Sequence, residues 1–315
     1  MLQKILLRLG LAPKVAQEAP APAPLSPTVA QEAPVPAPLS PTVAQEAPVP
    51  APFTPKGKLK PVLFVHIPKT AGSSWNRVLE QAYGEDNFLS HAEYHIAVIK
   101  SGQVPPVQAD CITGHIAWNN WHRQQGADAY APITVLRDPW KRLVSHINWV
   151  DRFNRGEALA GQGNNEERYA HIVALLAETE WLDRESIIKL RDRANEKGRF
   201  AHFDNMQCRM LFTGRNVQMT AEATPAFVDS AIKTLEGFAG VGFCEDGLSF
   251  LEGFLADIGR PVPEALPHEN RGDIRALTAD NDIAREVLAP WFEGDTVLYN
   301  TARRAYGEKT ATRRG

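Results

Sequence analysis

The stretch that decides the fold is Pro61-Val62-Leu63-Phe64-Val65-His66-Ile67-Pro68-Lys69-Thr70-Ala71-Gly72-Ser73-Ser74, continued by Trp75-Asn76-Arg77-Val78-Leu79-Glu80-Gln81-Ala82-Tyr83-Gly84. Its first part, Pro61 to Ile67, is an apolar, β-rich run. A strand buried on both faces of a parallel sheet has that pattern. A tight turn follows, bearing Gly72. Beyond it Trp75, Val78, Leu79 and Ala82 fall on one side of a predicted helix, and Gly84 closes it. Strand, turn and helix in this order form an anion cradle. Amides at a helix N-terminus lack partners and point outward, and the helix dipole favours negative charge there. Lys69 adds a point charge, and Thr70, Ser73 and Ser74 add hydroxyl donors. Gly72 lets the backbone approach the anion. The triphosphate loop GxxxxGK[ST], with its Mg²⁺-binding hydroxyl, is absent from this position. Taken alone, the turn also fits a capped helix start with no ligand.

Downstream, Ala109–Ile116 and Pro132–Arg137 read as further strands, and Asp138–Phe153 as a helix with Pro139 suited to its first turn. Residues 166–195 are mostly helical in pattern. Phe227–Phe238 reads as a helix, Phe238–Phe243 as a late strand, and Gly247–Gly259 as an amphipathic helix. Strands alternating with helices predict an α/β fold, a P-loop-like parallel sheet flanked by helices. Arg137 ends a strand and Ser145 stands eight residues on, a little over two helical turns. An Arg fork and a nearby hydroxyl can both reach one phosphate. Arg142 is either a further contact or a surface charge. The competing reading of Arg137-Asp138 is a local ion pair that caps the helix.

Composition narrows the classes. The 315 residues carry a net charge of −3, so no global basic field points to nucleic acid. Cys111, Cys208 and Cys244 are far apart, which argues against a disulfide framework or a structural zinc site and favours a reducing compartment. No run of about 18 apolar residues is present. At the N-terminus, Leu2, Ile5, Leu6 and Leu9 share one face of a short amphipathic helix over 1–12, with Lys4 and Arg8 opposite. It reads as a frayed end or as a helix that docks on a membrane surface or a protein. Three near-copies with a 14-residue period follow: Val15–Thr28, Val29–Thr42 and Val43–Lys56. Proline recurs too often for stacked repeats. Residues 13–57 therefore read as a disordered, partly polyproline-II spacer, roughly 130 Å long if extended. The folded domain is expected over 58–306, and a basic flexible tail over 307–315.

The motifs carry a resemblance. His66-Ile67-Pro68-Lys69-Thr70-Ala71-Gly72-Ser73-Ser74 resembles the 5′-phosphosulfate loop of carbohydrate sulfotransferases, and RDPWKRLVSHINW (137–149) resembles their 3′-phosphate motif. The separation of about 70 residues is also typical of them. The pattern is most similar to the 2-O-sulfotransferase-like enzymes of bacterial type. Fainter similarity extends through DNMQCRMLFTG (204–214) and HENRGD (268–273) to Tyr306. Ser73 in place of Thr, and Asn148 near the usual Tyr, are mild departures.

The resemblance implies the sulfotransferase fold. It also implies 3′-phosphoadenosine 5′-phosphosulfate (PAPS) as donor, PAP as product and no metal requirement. The acceptor is a hydroxyl, expected on a saccharide or glycolipid. Residues 69–74, with Arg137 and Ser145, would hold the donor. Arg271, in a Gly-bearing loop with Asn270, is expected near a phosphate. Lys69 would stabilise the leaving oxygen. His115, at the predicted C-terminal end of a strand, would be the general base, where related enzymes carry a catalytic His; the bland alternative is a structural histidine. His91, Glu93 and His95 form a rival base cluster or a solvated segment. His66 supports the loop. Trp118, Trp121 and His122 line an acceptor site or belong to the core. Asn205 and Gln207 are structural or touch acceptor. The expected location is cytoplasmic, peripheral to the inner membrane face. Two rival functions remain: a nucleotide or small-molecule kinase, and a non-catalytic PAP-binding adaptor.

Overall fold

The computed structural model describes residues 61–93, 109–123, 127–155, 165–196, 203–213, 224–247, 249–259 and 276–311. The chain divides into two units, Met1–Ala47 and Pro48–Gly315, and every described residue lies in the second. The expected N-terminal helix and the proline-rich spacer lie outside the described residues. So do His95, Asn270 and Arg271.

Five parallel strands form one sheet in the order β2-β3-β1-β4-β5: β1 is Val62–Val65, β2 Phe88–Leu89, β3 Cys111–Gly114, β4 Ala131–Leu136 and β5 Gly240–Phe243. Helix α1 (Gly72–Tyr83) links β1 to β2. A short helix, α2 (Trp118–Trp121), follows β3, and the long α3 (Pro139–Asn154) follows β4. The chain then runs through α4 (Asn165–Ala177), α5 (Arg184–Glu196), α6 (Met206–Leu211) and α7 (Pro225–Glu236). After β5 come α8 (Ser249–Asp257), α9 (Asp282–Val287) and α10 (Glu293–Ala311). The expected tail from 307 thus begins inside α10. Among the described residues no helix is long and apolar enough to cross a membrane.

The apolar run at β1 is central and wholly buried. Its alternation divides the core. Val62 and Phe64 face Trp75, Val78 and Leu79 of α1 and Leu251 and Leu255 of α8. Leu63 and Val65 face Leu211 of α6, Ala231 and Leu235 of α7, and Leu298 of α10. Burying each such side chain contributes about 1.5–3 kcal/mol. A third cluster joins Leu143, Ile147 and Val150 of α3 to Leu175 of α4, Ile187 and Leu190 of α5, and Val287 of α9.

Strand β1 pairs with β3 on one side and β4 on the other, Val65 lying opposite both Gly114 and Thr134. The chain builds β2 and β3 on one flank and then crosses to β4 and β5. Ligands in open α/β sheets bind outside the carboxyl ends of the strands at such a reversal. The segments leaving β1, β3 and β4 there begin at His66, His115 and Arg137.

Two features differ from the sequence reading. Strand β2 was not expected, being only two residues on the sheet edge. The helical stretch 166–195 is two helices. The second begins where the Asp183 carboxylate accepts the Glu185 amide at 3.1 Å, an aspartate starting a helix in the usual capping manner.

Candidate active site

The loop from β1 to α1 is held from inside. Thr70 is fully buried, and its hydroxyl donates to the Ile67 carbonyl at 2.9 Å. That hydroxyl proton, expected to face an anion, is used within the turn. Left-handed backbone falls at Lys69 (φ 72°) and Ala71 (φ 65°), not at glycine. Each such non-glycine residue stores on the order of 1–3 kcal/mol of strain, a feature concentrated at functional sites. Ala71 starts α1 with no side-chain cap. The amides of Gly72 and Ser73, in the first turn of the helix, have no intrahelical acceptor. Ser73 is exposed and Ser74 buried.

Gly72 has a different cause from the one expected. A Cβ there would overlap the His66 imidazole. The absent side chain makes room for the His66 ring against the loop. His66 is buried, stacked on Phe64 with 5.8 Å between ring centroids. Burial holds its pKa well below the ordinary value, and His115, His91 and Lys69 act in the same direction. Its ring is thus neutral at pH 7. Gly72→Ala is expected to destabilise the protein by about 1–3 kcal/mol, as overpacked cores generally do. Urea unfolding monitored by tryptophan fluorescence reads this directly. An unchanged midpoint would mean that His66 is free to swing away.

Lys69 is drawn to the α3 side. Its ammonium lies 5.5 Å from the centre of the Trp149 ring. Burial, followed by Arg137, Arg152 and Arg142, lowers its pKa to about 8. Arg137, at the end of β4, donates from Nη1 to the Lys69 carbonyl at 3.0 Å and thereby ties the segment after β4 to the loop after β1. Its own backbone is clasped by Gln207. The Arg137 amide donates to Gln207 Oε1 at 3.0 Å, and Gln207 Nε2 returns a bond to the Arg137 carbonyl at 2.9 Å. Asp138 caps α3 by accepting the Lys141 amide at 2.8 Å. Ser145 is half-buried on α3.

Arg142 is neither a surface charge nor free to meet a ligand. It is fully buried, donates to the Phe203 carbonyl at 2.9 Å, and lies 3.9 Å from the buried carboxylate of Asp295. Asp295 in turn accepts the amides of Gln207 (3.1 Å) and Cys208 (2.8 Å). The Asn205 side-chain oxygen Oδ1 accepts the Asp295 amide at 2.9 Å, and its Nδ2 donates to the Pro290 carbonyl at 3.0 Å. Asn205 and Gln207, left open by sequence, are therefore structural. They lock α6, α10 and the Arg137 backbone together. Asn148, at the expected Tyr position, makes a two-way amide clasp with Leu277, at 2.7 and 3.0 Å.

His115 leaves β3 toward the same end of the sheet. Its Nδ1 lies 2.8 Å from the His66 carbonyl. A carbonyl can only accept, so Nδ1 carries the proton and Nε2 keeps its lone pair. The side chain is solvent-accessible, yet desolvation by the surrounding protein lowers its pKa. The bond to His66 and the charge of Glu93 oppose that shift. The His115 amide donates to Glu93 Oε2 at 3.0 Å. A Cβ at Gly114 would overlap that carboxylate, so Gly114 admits Glu93 to the site. The other Glu93 oxygen lies 3.2 Å from His91 Nδ1, a bond that raises the His91 pKa. His91 and Glu93 of the supposed rival cluster are thus contiguous with His115, and Glu93 supports the histidine's backbone. Of the aromatic trio, Trp121 is buried in the core, edge-on to Tyr130. Trp118 packs 5.0 Å from Phe238, and His122 Nδ1 donates to the Trp118 carbonyl at 2.7 Å. Trp121 thus belongs to the core, while Trp118 packs against it half-buried and His122 is half-buried beside Trp118.

The strand ends thus gather an uncapped helix N-terminus, a half-buried lysine, an arginine tied to it, and an imidazole whose Nε2 has no partner among the described residues. Such a set can bind a polyanion, neutralise charge on a leaving group and accept a proton. Residues 57–208 match the model of the sulfotransferase family. The match supports a sulfotransferase family and, with it, sulfuryl transfer in general. It spans just under half of the chain and contains the Lys69 loop, His115, Arg137 and Ser145. No curated protein matches the chain.

Proposed function

We propose that the chain moves the sulfuryl group of PAPS to an acceptor hydroxyl on a glycan or glycolipid, by in-line displacement at sulfur. The observation that carries this reading is the tie between Lys69 and Arg137 beside the free Nε2 of His115. The chain offers a fitting cradle: first-turn amides of α1, the Lys69 ammonium, and the Arg137 guanidinium already aimed at the loop. The donor supplies an activated sulfuryl group whose departure leaves charge on a phosphate oxygen. Lys69 holds positive charge at that oxygen and stabilises the transition state above the ground state. Arg137 and Ser145 bind the 3′-phosphate and orient the distant sulfate. Nε2 of His115 accepts the proton of the attacking hydroxyl. Arg271 is assigned to the donor on the resemblance alone.

The test is transfer from radiolabelled PAPS to a panel of saccharides and lipids, run beside ATP with Mg²⁺. Label from PAPS in a saccharide or glycolipid supports the proposal. Turnover of ATP without PAPS turnover would replace it by the kinase reading. PAP binding with no transfer to any acceptor or lysate would favour the adaptor.

A pH prediction follows from the two titrating groups. His115 must be neutral, and its pKa lies below the ordinary histidine value. Activity is therefore lost as pH falls through that lowered value. Lys69 must be protonated, so activity is also lost as pH rises through about 8. The dependence of kcat/KM on pH, which reports the free enzyme, is expected to be bell-shaped with these limbs. A profile with no loss above about pH 8 would contradict the Lys69 assignment, and one with no acid limb below the ordinary histidine range would contradict the His115 assignment.

A further inference from the structure

Trp149 lies on α3 four residues beyond Ser145, so both stand on one face of the helix. Its indole is half-buried and fixed from two sides. Phe153 meets it edge-on with centroids 5.3 Å apart, and His146 lies at 5.8 Å. His146 is itself buried, 3.3 Å from an Arg142 nitrogen. The ring is therefore a rigid platform, and the Lys69 ammonium sits 5.5 Å from its centre. That distance is within the range of a cation–π contact, and indole is the strongest of the aromatic partners. Lysine carries its charge on a flexible four-carbon stem, which must otherwise be ordered at the moment of reaction.

We propose that Trp149 is a positioning residue for Lys69, holding the ammonium on the α3 side of the loop so that it is already oriented for its work. The inference rests on the reading of Lys69 as the cation at the leaving oxygen. Trp149 acts through Lys69 and does not touch the reacting atoms. The contact adds an attraction for positive charge to a place crowded with it. Arg137 reaches the loop from the end of β4, while Arg142 and Arg152 belong to α3. The imidazoles of His66 and His115 face it from the ends of β1 and β3. Every one of these neighbours is a cation or a neutral ring. Among these described neighbours the indole face is thus the group that favours the protonated amine.

The test uses the full chain and variants Trp149→Phe and Trp149→Leu, with Trp149→Met in reserve if Leu unfolds. The first readout needs no turnover. Acetylation of Lys69 by acetic anhydride is followed by mass spectrometry across pH, and its midpoint reports the amine. In the wild type the midpoint is expected near pH 8. Trp149→Leu should shift it downward, because the ammonium loses its aromatic partner, while Trp149→Phe should stay close to wild type. The second readout is kinetics with PAPS. Trp149→Leu should lower kcat by about threefold to thirtyfold, with KM for PAPS little changed, and Phe should recover most of the loss. An unchanged Lys69 midpoint in all variants overturns the proposal, as does a loss of kcat that Phe and Leu share equally. If wild-type chain shows no transfer yet its Lys69 midpoint responds to Trp149, the contact stands and the sulfotransfer reading falls.

Discussion

Lys69→Ala is expected to reduce sulfuryl transfer by about 10²–10³-fold, the scale for losing one preorganised group that stabilises developing charge. The substitution is favourable for a clean test. Lys69 sits at φ 72°, and alanine there meets the same backbone strain as lysine, so the loop gains no conformational freedom. The carbonyl that accepts Arg137 Nη1 belongs to the backbone and survives the change. Arg137 therefore stays in place, and with it the proposed 3′-phosphate contact. PAP affinity, measured by calorimetry, should fall only severalfold. Single-turnover transfer from radiolabelled PAPS should fall by the full factor. The split between binding and chemistry is the signature of an interaction made in the transition state. Lys69→Arg should not restore the rate, because a planar guanidinium cannot occupy the place of a compact ammonium against Trp149. Equal losses in PAP affinity and transfer rate would mean that Lys69 holds the donor and does nothing more.

The sheet was legible in the sequence because it announces itself locally. Pro61–Ile67 is apolar without alternation, and only a strand covered on both faces makes that pattern useful. The same stretch ends in the turn that carries Lys69, so fold and candidate site were read from one segment. Ser145 could be placed on the helix after Arg137 by spacing alone, and Trp149 was within reach of the same argument. Asp295 was not. It serves Gln207, Cys208 and Arg142 from a helix at the far end of the chain, and nothing near it in sequence marks that task. Arg142 was misjudged for the same reason. An arginine within a basic motif reads as a ligand or a surface charge until its distant carboxylate and the Phe203 carbonyl are seen. Gly72 was identified correctly as a glycine that matters, for a reason local pattern could not supply. The clash it avoids is with a ring six residues earlier, folded back by the turn. Long-range contacts of this kind are encoded in volumes and charges that meet only after folding.

His115→Ala tests the remaining half of the proposed chemistry. General bases contribute about 10²–10⁴-fold, and transfer should fall within that range. Donor binding should fall much less, because among the described residues the imidazole meets the loop only through His66, at its carbonyl and its ring. The His115 amide that meets Glu93 remains in the variant, so the turn after β3 keeps its anchor. The side chain is accessible to solvent, and its removal leaves little buried cavity. Two further readouts distinguish a base from a structural histidine. The acid limb of the pH profile, which arises from protonation of Nε2, should vanish. Added imidazole should restore part of the rate, since the space left is open to solvent and the missing group is soluble. A variant that transfers normally would move the base to His91, which the Glu93 carboxylate already holds beside the site and whose pKa is raised by that bond. The direction of that shift argues for His115. A base must be unprotonated at working pH, and desolvation by the surrounding protein favours neutral His115 while the bond to Glu93 favours the protonated form of His91.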